Sequence, residues 1–311
     1  MKVGFLFPGQ GAQYKGMGKD FYESFPKCRQ IWEEAARVSD LNLDSLCFEE
    51  NEKLNITEYT QIAILAVEAM ILQALKEEGI DSDVNAGLSL GEYGALIASG
   101  VLSREDAFFL VRKRGIYMQN AVPRGGAMAA VLGADKDEVE EIVEKVSKES
   151  GLIVSVANYN CPGQLVISGQ SEGIDLARAA LKMAGVKRVL PLNVSGPFHS
   201  AMLKVAGEQL ARTLKDIKIG SIKKPYLSNV TGDYVEDGNL IKELLVRQVS
   251  ESVLWQQSIE RMIESGVSHF IEVGPKKTLS GFMKKINPQV KICNVETVED
   301  LKRVKEFIDK E

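Results

Sequence analysis

Histidine is scarce in this chain. Among 311 residues there are two, His199 and His269. That excludes a His-rich metal site and leaves imidazole chemistry only two carriers. Cysteine is also sparse: Cys28, Cys47, Cys161 and Cys293 are scattered with no CxxC spacing. Neither a disulfide framework nor a thiolate zinc site is expected, and a reducing cytosol fits. Cys161, in a Cys-Pro-Gly turn, is read as structural. Basic residues do not dominate, since 38 Lys and Arg against 43 Asp and Glu leave a net charge of −5. A primary role in binding nucleic acid is therefore not expected. Long apolar runs are absent too. The N-terminal VGFLF is broken by Pro8-Gly9 before it could form a signal-peptide core. The most apolar stretch, Ile62 to Leu75, carries Glu68 and Gln73 and is too short to span a bilayer. It reads as a buried helix, and the chain is expected to be cytoplasmic, without a membrane role.

What is present has the composition of a soluble globular protein, with 45% hydrophobic and 26% charged residues. The length allows one large domain or two modest ones, with a full core. VGFLF reads as a strand covered on both faces. A polar loop and helix follow over 16–38. The apolar helix spans 60–78, with Thr57 or Thr60 as candidate N-cap. Residues 83–88 form a short strand, then a tight turn and a helix. Ser103 caps another helix that Pro123 stops.

The middle has a different rhythm. Strands at 127–133, 152–160, 164–170 and 186–194 alternate with helices at 135–149 and 171–184. This β-α-β-β-α-β order is the ferredoxin-like pattern. An α/β rhythm then resumes, with helices near 198–215, 239–247, 255–265 and 276–286. Strands are expected at 225–230, 269–274 and 290–295. The expected architecture is a three-layer, α/β-hydrolase-like core with a mainly parallel sheet, from 1–124 and 196–311. A ferredoxin-like subdomain, 125–195, is inserted into it. Ligands of such sheets bind at the carboxyl ends of strands, where Gln10, Ser89 and Gly274-Pro275 lie.

Gly87-Leu88-Ser89-Leu90-Gly91 matches the G-x-S-x-G elbow. Its glycines suit a strand-to-helix turn too tight for side chains, with the serine strained and exposed. The alternative is a structural turn. Gly9-Gln10-Gly11 fails as a dinucleotide fingerprint, because Tyr14 stands at the third glycine position. It reads as a backbone loop facing an oxyanion, or as a plain turn. Serine is a weak nucleophile without a base. His199, after Gly196-Pro197 and at the start of a helix, is the better candidate. His269 opens an apolar strand and reads as structural. Arg114 lies on the packed side of its helix. A half-buried Arg wants an anion, either a substrate carboxylate or an internal acid. The lysines of 276–285 and the basic run 204–224 read as solvated faces, or as a docking surface for an acidic partner.

Taken together, these segments resemble the malonyl-CoA:acyl carrier protein transacylases of fatty-acid synthesis. The resemblance spans nearly the whole chain. It rests on FPGQGAQ (7–13), Thr60-Gln61, GLSLGEY (87–93), VRKRGIYMQ (111–119) and NYNCPGQLVISG (158–169), then GPFHS (196–200), LVRQ (245–248) with Trp255, and EVGP (272–275). It implies that Ser89 is acylated by malonyl-CoA and that His199 is its base. The backbone carbonyl of Gln248 would orient His199. Backbone N–H groups of Gln10 and Leu90 would form the oxyanion hole. Arg114 would pair with the malonyl carboxylate. Phe198 would exclude a 2-methyl branch, and Met118 and Asn158 would line the cleft.

The implied partners are malonyl-CoA and a holo-acyl carrier protein, with no cofactor and no metal. A monomer is expected. Lys182, Lys187, Arg188 and the 276–285 lysines are the candidate carrier-docking residues. One residue departs from the family pattern: Leu88 stands where a His usually precedes the nucleophile. Two rival readings are a serine hydrolase such as a thioesterase, and a non-catalytic acyl-CoA binding protein. A hydrolase would usually carry an Asp or Glu between Ser and His in chain order to complete its triad. No such acid is identifiable here.

Overall fold

The computed structural model describes residues 1–194 and 196–309. Ser195, part of the turn before His199 and the last residue of the expected insert, lies outside them, as do the last two residues of the expected core. The chain begins with β1 (Val3–Phe7), α1 (Lys19–Ser24), α2 (Pro26–Ser39), α3 (Leu43–Phe48) and α4 (Thr57–Glu77). β2 (Val84–Gly87), α5 (Gly91–Ala98) and α6 (Arg104–Ala121) follow. The middle comprises β3 (Gly126–Leu132), α7 (Lys136–Ser150), β4 (Val154–Cys161), β5 (Gln164–Gln170), α8 (Ser171–Met183) and β6 (Arg188–Pro191). The last part holds α9 (Lys204–Leu214), α10 (Ile241–Gln248), α11 (Trp255–Glu264) and β7 (His269–Val273). It ends with α12 (Thr278–Ile286), β8 (Lys291–Val295) and α13 (Asp300–Asp309).

Two sheets result. The first is parallel, in the order β2-β1-β7-β8. The second is antiparallel, in the order β4-β5-β3-β6. Alternation along the parallel strands feeds two cores, as period-2 side chains must. Phe5, Phe7, Ile271 and Val273 join the large core built around α4. Leu6, Val84, Ala86 and Phe270 face the opposite way, onto Trp255, Ile259 and Met262 of α11 and Leu279 of α12. The antiparallel sheet has its own core, in which Ala129, Val131 and Ile167 pack against Val139, Val143, Ile174 and Leu181 of α7 and α8.

Four sequence expectations need correction. The apolar helix is longer than the stretch that announced it. α4 runs 21 residues, and its length and composition alone would suffice for a membrane span. Burial of every residue from Gln61 to Ile71 inside the protein shows what its apolarity serves. Neither Thr57 nor Thr60 caps it: Ile56 stands at the cap, and the Thr60 hydroxyl donates to the carbonyls of Leu54 and Ile56. Residues 225–230 form no strand. Pro225 has no N–H to donate, and the segment touches the sheet through one bridge, Asn85 to Tyr226. It then turns, with Ser228 N bonded to Asp233 O. Finally, no α-helix starts at 198. His199 has φ 56°, outside the helical region, so a 3-10 turn at Ala201–Leu203 precedes α9.

Candidate active site

The Gly-x-Ser-x-Gly elbow is built by crowding. A Cβ on Gly87 would collide with the Gly91 carbonyl, and one on Gly91 with the Phe7 and Pro8 carbonyls. Only glycine allows β2 to enter α5 this tightly. Ser89 sits between them at φ 54°, a left-handed conformation costing about 1 kcal/mol or more for a side-chain-bearing residue. Three side-chain bonds hold it there. Asn229 Oδ1 accepts from Ser89 N at 2.6 Å, and Asn229 Nδ2 donates to Gly87 O at 2.7 Å. Gln248 Nε2 donates to Ser89 O at 2.9 Å.

Ser89 Oγ lies 2.7 Å from His199 Nε2. The other ring nitrogen, Nδ1, is 2.8 Å from the Gln248 backbone carbonyl. A carbonyl can only accept, so Nδ1 carries the proton and Nε2 is free to take one from serine. Burial, reinforced by the Arg114 charge, lowers the His199 pKa to about 4. At neutral pH the imidazole is therefore neutral, as a base must be. Among the described residues no carboxylate bonds it.

Arg114 is the third component. Its side chain is 1% exposed, on the cavity side of α6. Nη1 donates to Gln61 Oε1 at 2.7 Å, and Nη2 donates to Gln248 Oε1 at 2.9 Å and to Ser89 Oγ at 3.1 Å. Nε has no partner among the described residues, and the guanidinium stands 5.7 Å from the Tyr93 ring centroid. Every partner is neutral, so the internal salt bridge that the sequence left open is not formed. Burying a cation with only neutral acceptors is costly, and the open side of this cation borders the cavity.

That cavity is about 250 Å³ and lies between the two sheets. Gln10, Leu88, Ser89 and Leu90 come from the loops after β1 and β2, while Met128, Asn158 and Val166 come from the antiparallel sheet. Arg114, Met118, Phe198 and His199 complete the wall around the serine. All the sequence-derived site residues except the remote Gln248 carbonyl thus border one space. Gln248 acts from behind His199. His269 sits at the opposite, N-terminal end of its strand, beside Ser268 and Phe307. Cys161 is buried, burial raises its thiol pKa, and all four cysteines are free thiols.

Sequence reasoning missed several polar groups. It assigned Gln248 only its carbonyl, whereas its side chain also touches Arg114, Ser89 and Glu92. Gln61 and Glu92 stood inside quoted motifs without a role. Asn229 was absorbed into a strand that does not exist; the signal was there in Ser-Asn-Val-Thr-Gly-Asp, whose Asn and Gly suit a turn. Glu92 is fully buried, and that burial pushes its carboxyl up to about 7, against the lowering effects of Gln248, Asn229 and Arg114.

A strained serine, a neutral histidine and an unpaired buried arginine converge on one oxygen. Known proteins resemble this chain in sequence and fold. Residues 4–303 match the family model described as acyl transferase domain. The malonyl CoA-acyl carrier protein transacylase of Bacillus subtilis (strain 168) is 46% identical over 303 residues, 96% of this chain and 95% of that protein. The crystal structure of the Clostridium perfringens malonyl CoA-acyl carrier protein transacylase superposes with a TM-score of 0.95 at 45% identity, covering 100% of this chain and 98% of that one. This chain belongs to the malonyl-CoA:acyl carrier protein transacylase family. It is an acyltransferase with a mixed α/β fold. A third relative, a malonyl-transacylase in complex with a type II polyketide-synthase acyl-carrier protein, is 37% identical, with a TM-score of 0.95 and coverage of 99% and 100%.

Proposed function

We propose that this protein moves the malonyl group of malonyl-CoA to the phosphopantetheine thiol of a holo-acyl carrier protein, by way of a malonyl ester on Ser89. The observation that carries this reading is that Ser89 Oγ meets His199 Nε2 and Arg114 Nη2 at once. One supplies the base for acyl transfer and the other a counter-ion for the free carboxylate of the acyl group.

His199 takes the Ser89 proton as Oγ attacks the thioester carbonyl. The developing oxyanion is stabilised by the N–H groups of Gln10 and Leu90, the latter at the start of α5 where the helix dipole favours negative charge. Collapse of the tetrahedral adduct expels CoA thiolate, which takes the proton from His199. The carrier's thiol repeats these steps in reverse. A carbonyl-oriented imidazole suffices, because a thiolate leaves far more readily than an amine. Arg114 supplies selectivity: with an acetyl group it would stay unpaired, at a cost on the order of 2–5 kcal/mol. Phe198 fills the space beside His199 that a 2-methyl branch would need. Met118 Sδ accepts from Gln61 Nε2 at 3.6 Å and so helps aim the Gln61 carbonyl at Arg114. The reaction as proposed uses no cofactor.

A hydrolase is the weaker reading, because both ring nitrogens of His199 are engaged without an acid. The sheet orders also support a finer description. We read 1–124 with 196–311 as an α/β-hydrolase-like core, and 125–195 as a ferredoxin-like insert whose strand order and antiparallel pairing fit that pattern. We read the protein as a cytoplasmic monomer that binds neither nucleic acid nor membrane. Lys182, Lys187, Arg188, Lys277 and Lys284 are exposed, and Thr278 and Phe282 beside the last two line the cavity. These basic residues would receive an acidic carrier, with local attraction overcoming like net charge.

The deciding experiment is intact-protein mass spectrometry after brief incubation with malonyl-CoA. One malonyl adduct is expected on the native protein and none on Ser89→Ala. A native protein that stays unmodified would sink the proposal. Transfer onto holo-carrier, set against release of free malonate, separates transferase from hydrolase.

A further inference from the structure

Glu92 lies on the first turn of α5, three residues after the nucleophile, and the transfer steps leave it without a role. Its Oε2 accepts from Gln248 Nε2 at 2.7 Å and from the backbone N–H of Asn229 at 3.1 Å. The Gln248 carboxamide therefore stands between two groups of opposite demand. A guanidinium only donates, so the amide oxygen must face Arg114. The amide nitrogen must then face acceptors, and it finds Glu92 Oε2, the Ser89 carbonyl and, at 3.4 Å, Asn229 Oδ1. Glu92 supplies the shortest of these bonds. Turned over, the amide would set NH2 against the Arg114 donors.

We propose that Glu92 is a positioning residue that acts through the Gln248 carboxamide to hold Arg114 in place, and so sets the preference for a carboxylated acyl group. This rests on the transfer reading above. Unlike the acid of a serine hydrolase triad, which bonds the histidine, this buried acid bonds the amide that holds the substrate-binding cation. The second arm of Glu92 reinforces the first, since the Asn229 it holds also accepts from Ser89 N. When ionised, Glu92 also favours the charged form of Arg114 against the desolvation of that group.

The test compares rates of Ser89 acylation by malonyl-CoA and acetyl-CoA. Glu92→Leu removes the acceptor, and its malonyl-to-acetyl ratio is expected to fall about tenfold or more, mainly through loss of the malonyl rate. Glu92→Gln keeps an acceptor oxygen and should hold the ratio within about threefold of the native protein. Gln248→Leu deletes the carboxamide but keeps the carbonyl that orients His199. It should lower the ratio as Glu92→Leu does, and the double variant should fall no further than either single one.

Equal loss on both substrates, an unchanged ratio, or additive losses would overturn the proposal. If Glu92→Leu fails to fold by thermal melt, Gln248→Leu reads the same link from its other end, and a native ratio there overturns it. A native protein that takes no malonyl group fails the transfer reading instead, so the two failures are distinct.

Discussion

Ser89 and His199, 110 positions apart, are both held at positive φ, 54° and 56°, with Oγ and Nε2 2.7 Å apart. Each residue is strained so that the two side chains meet. The surrounding bonds to Asn229 and Gln248 hold both in place. His199→Ala should lower the Ser89 acylation rate by about 10²–10⁴-fold, the usual worth of a general base. His269→Ala should leave that rate unchanged, because His269 lies outside the cavity. Rapid-quench mass spectrometry on both variants checks this, and a slow His269 variant would contradict it.

The buried arginine makes a second prediction. Arg114→Ala should lower malonyl acylation by about 30-fold or more while changing acetyl acylation far less. Competition between the two thioesters on one enzyme sample reads the ratio directly. A preserved ratio would take Arg114 out of substrate recognition.

The pH profile tests the state of His199. Its pKa is lowered, from an ordinary 6.5 to about 4, so the imidazole remains a neutral base through the slightly acidic range. It is protonated and inactive only as pH falls through the lowered value. Acetyl-CoA is the substrate for this measurement, since it does not engage Arg114. The acidic limb of its acylation rate is expected well below 6.5, and a limb centred at 6.5 would show an ordinary, solvated histidine.

The elbow glycines predict a contrast in stability. Gly87→Ala places a methyl against the backbone of Gly91, which has no side-chain freedom to yield. It should destabilise by about 3 kcal/mol or more in denaturant titration. Gly281→Ala, in α12 with open space around it, should instead stabilise by about 0.5–1 kcal/mol. Similar effects at both sites would show that crowding does not shape the elbow.

Phe198 offers a change of specificity. Its ring is buried beside His199 and borders the cavity. Phe198→Ala should raise the rate of acylation by methylmalonyl-CoA relative to malonyl-CoA by about tenfold, the scale of relieving one methyl-sized clash. An unchanged relative rate would place the branch elsewhere in the cleft.

Sequence by itself determined much of this protein. Near-continuous apolar runs placed the covered strand β1 and the helix α4, because burial on nearly all sides demands apolar residues throughout, and the Ser103 cap and Pro123 stop bounded α6. The glycines of the elbow, the left-over histidine and the packed face of Arg114 were legible for the same reason: each records a local steric or solvation demand. What the sequence could not decide was which polar groups meet. Asn229, Gln61, the Gln248 side chain and Glu92 come from four separate segments, and a glutamine or an asparagine has no spacing rule that names its partner. Residues 225–230 looked like a strand because Tyr226, Leu227 and Val230 are apolar. Only the assembled fold showed that the segment ends at β2 and turns Asn229 into the elbow. The fate of Arg114, bonded to neutral groups, was likewise settled by long-range packing. Hydrogen-bond networks between distant segments are fixed by the tertiary arrangement of backbones, and that arrangement turned a list of motif residues into one site.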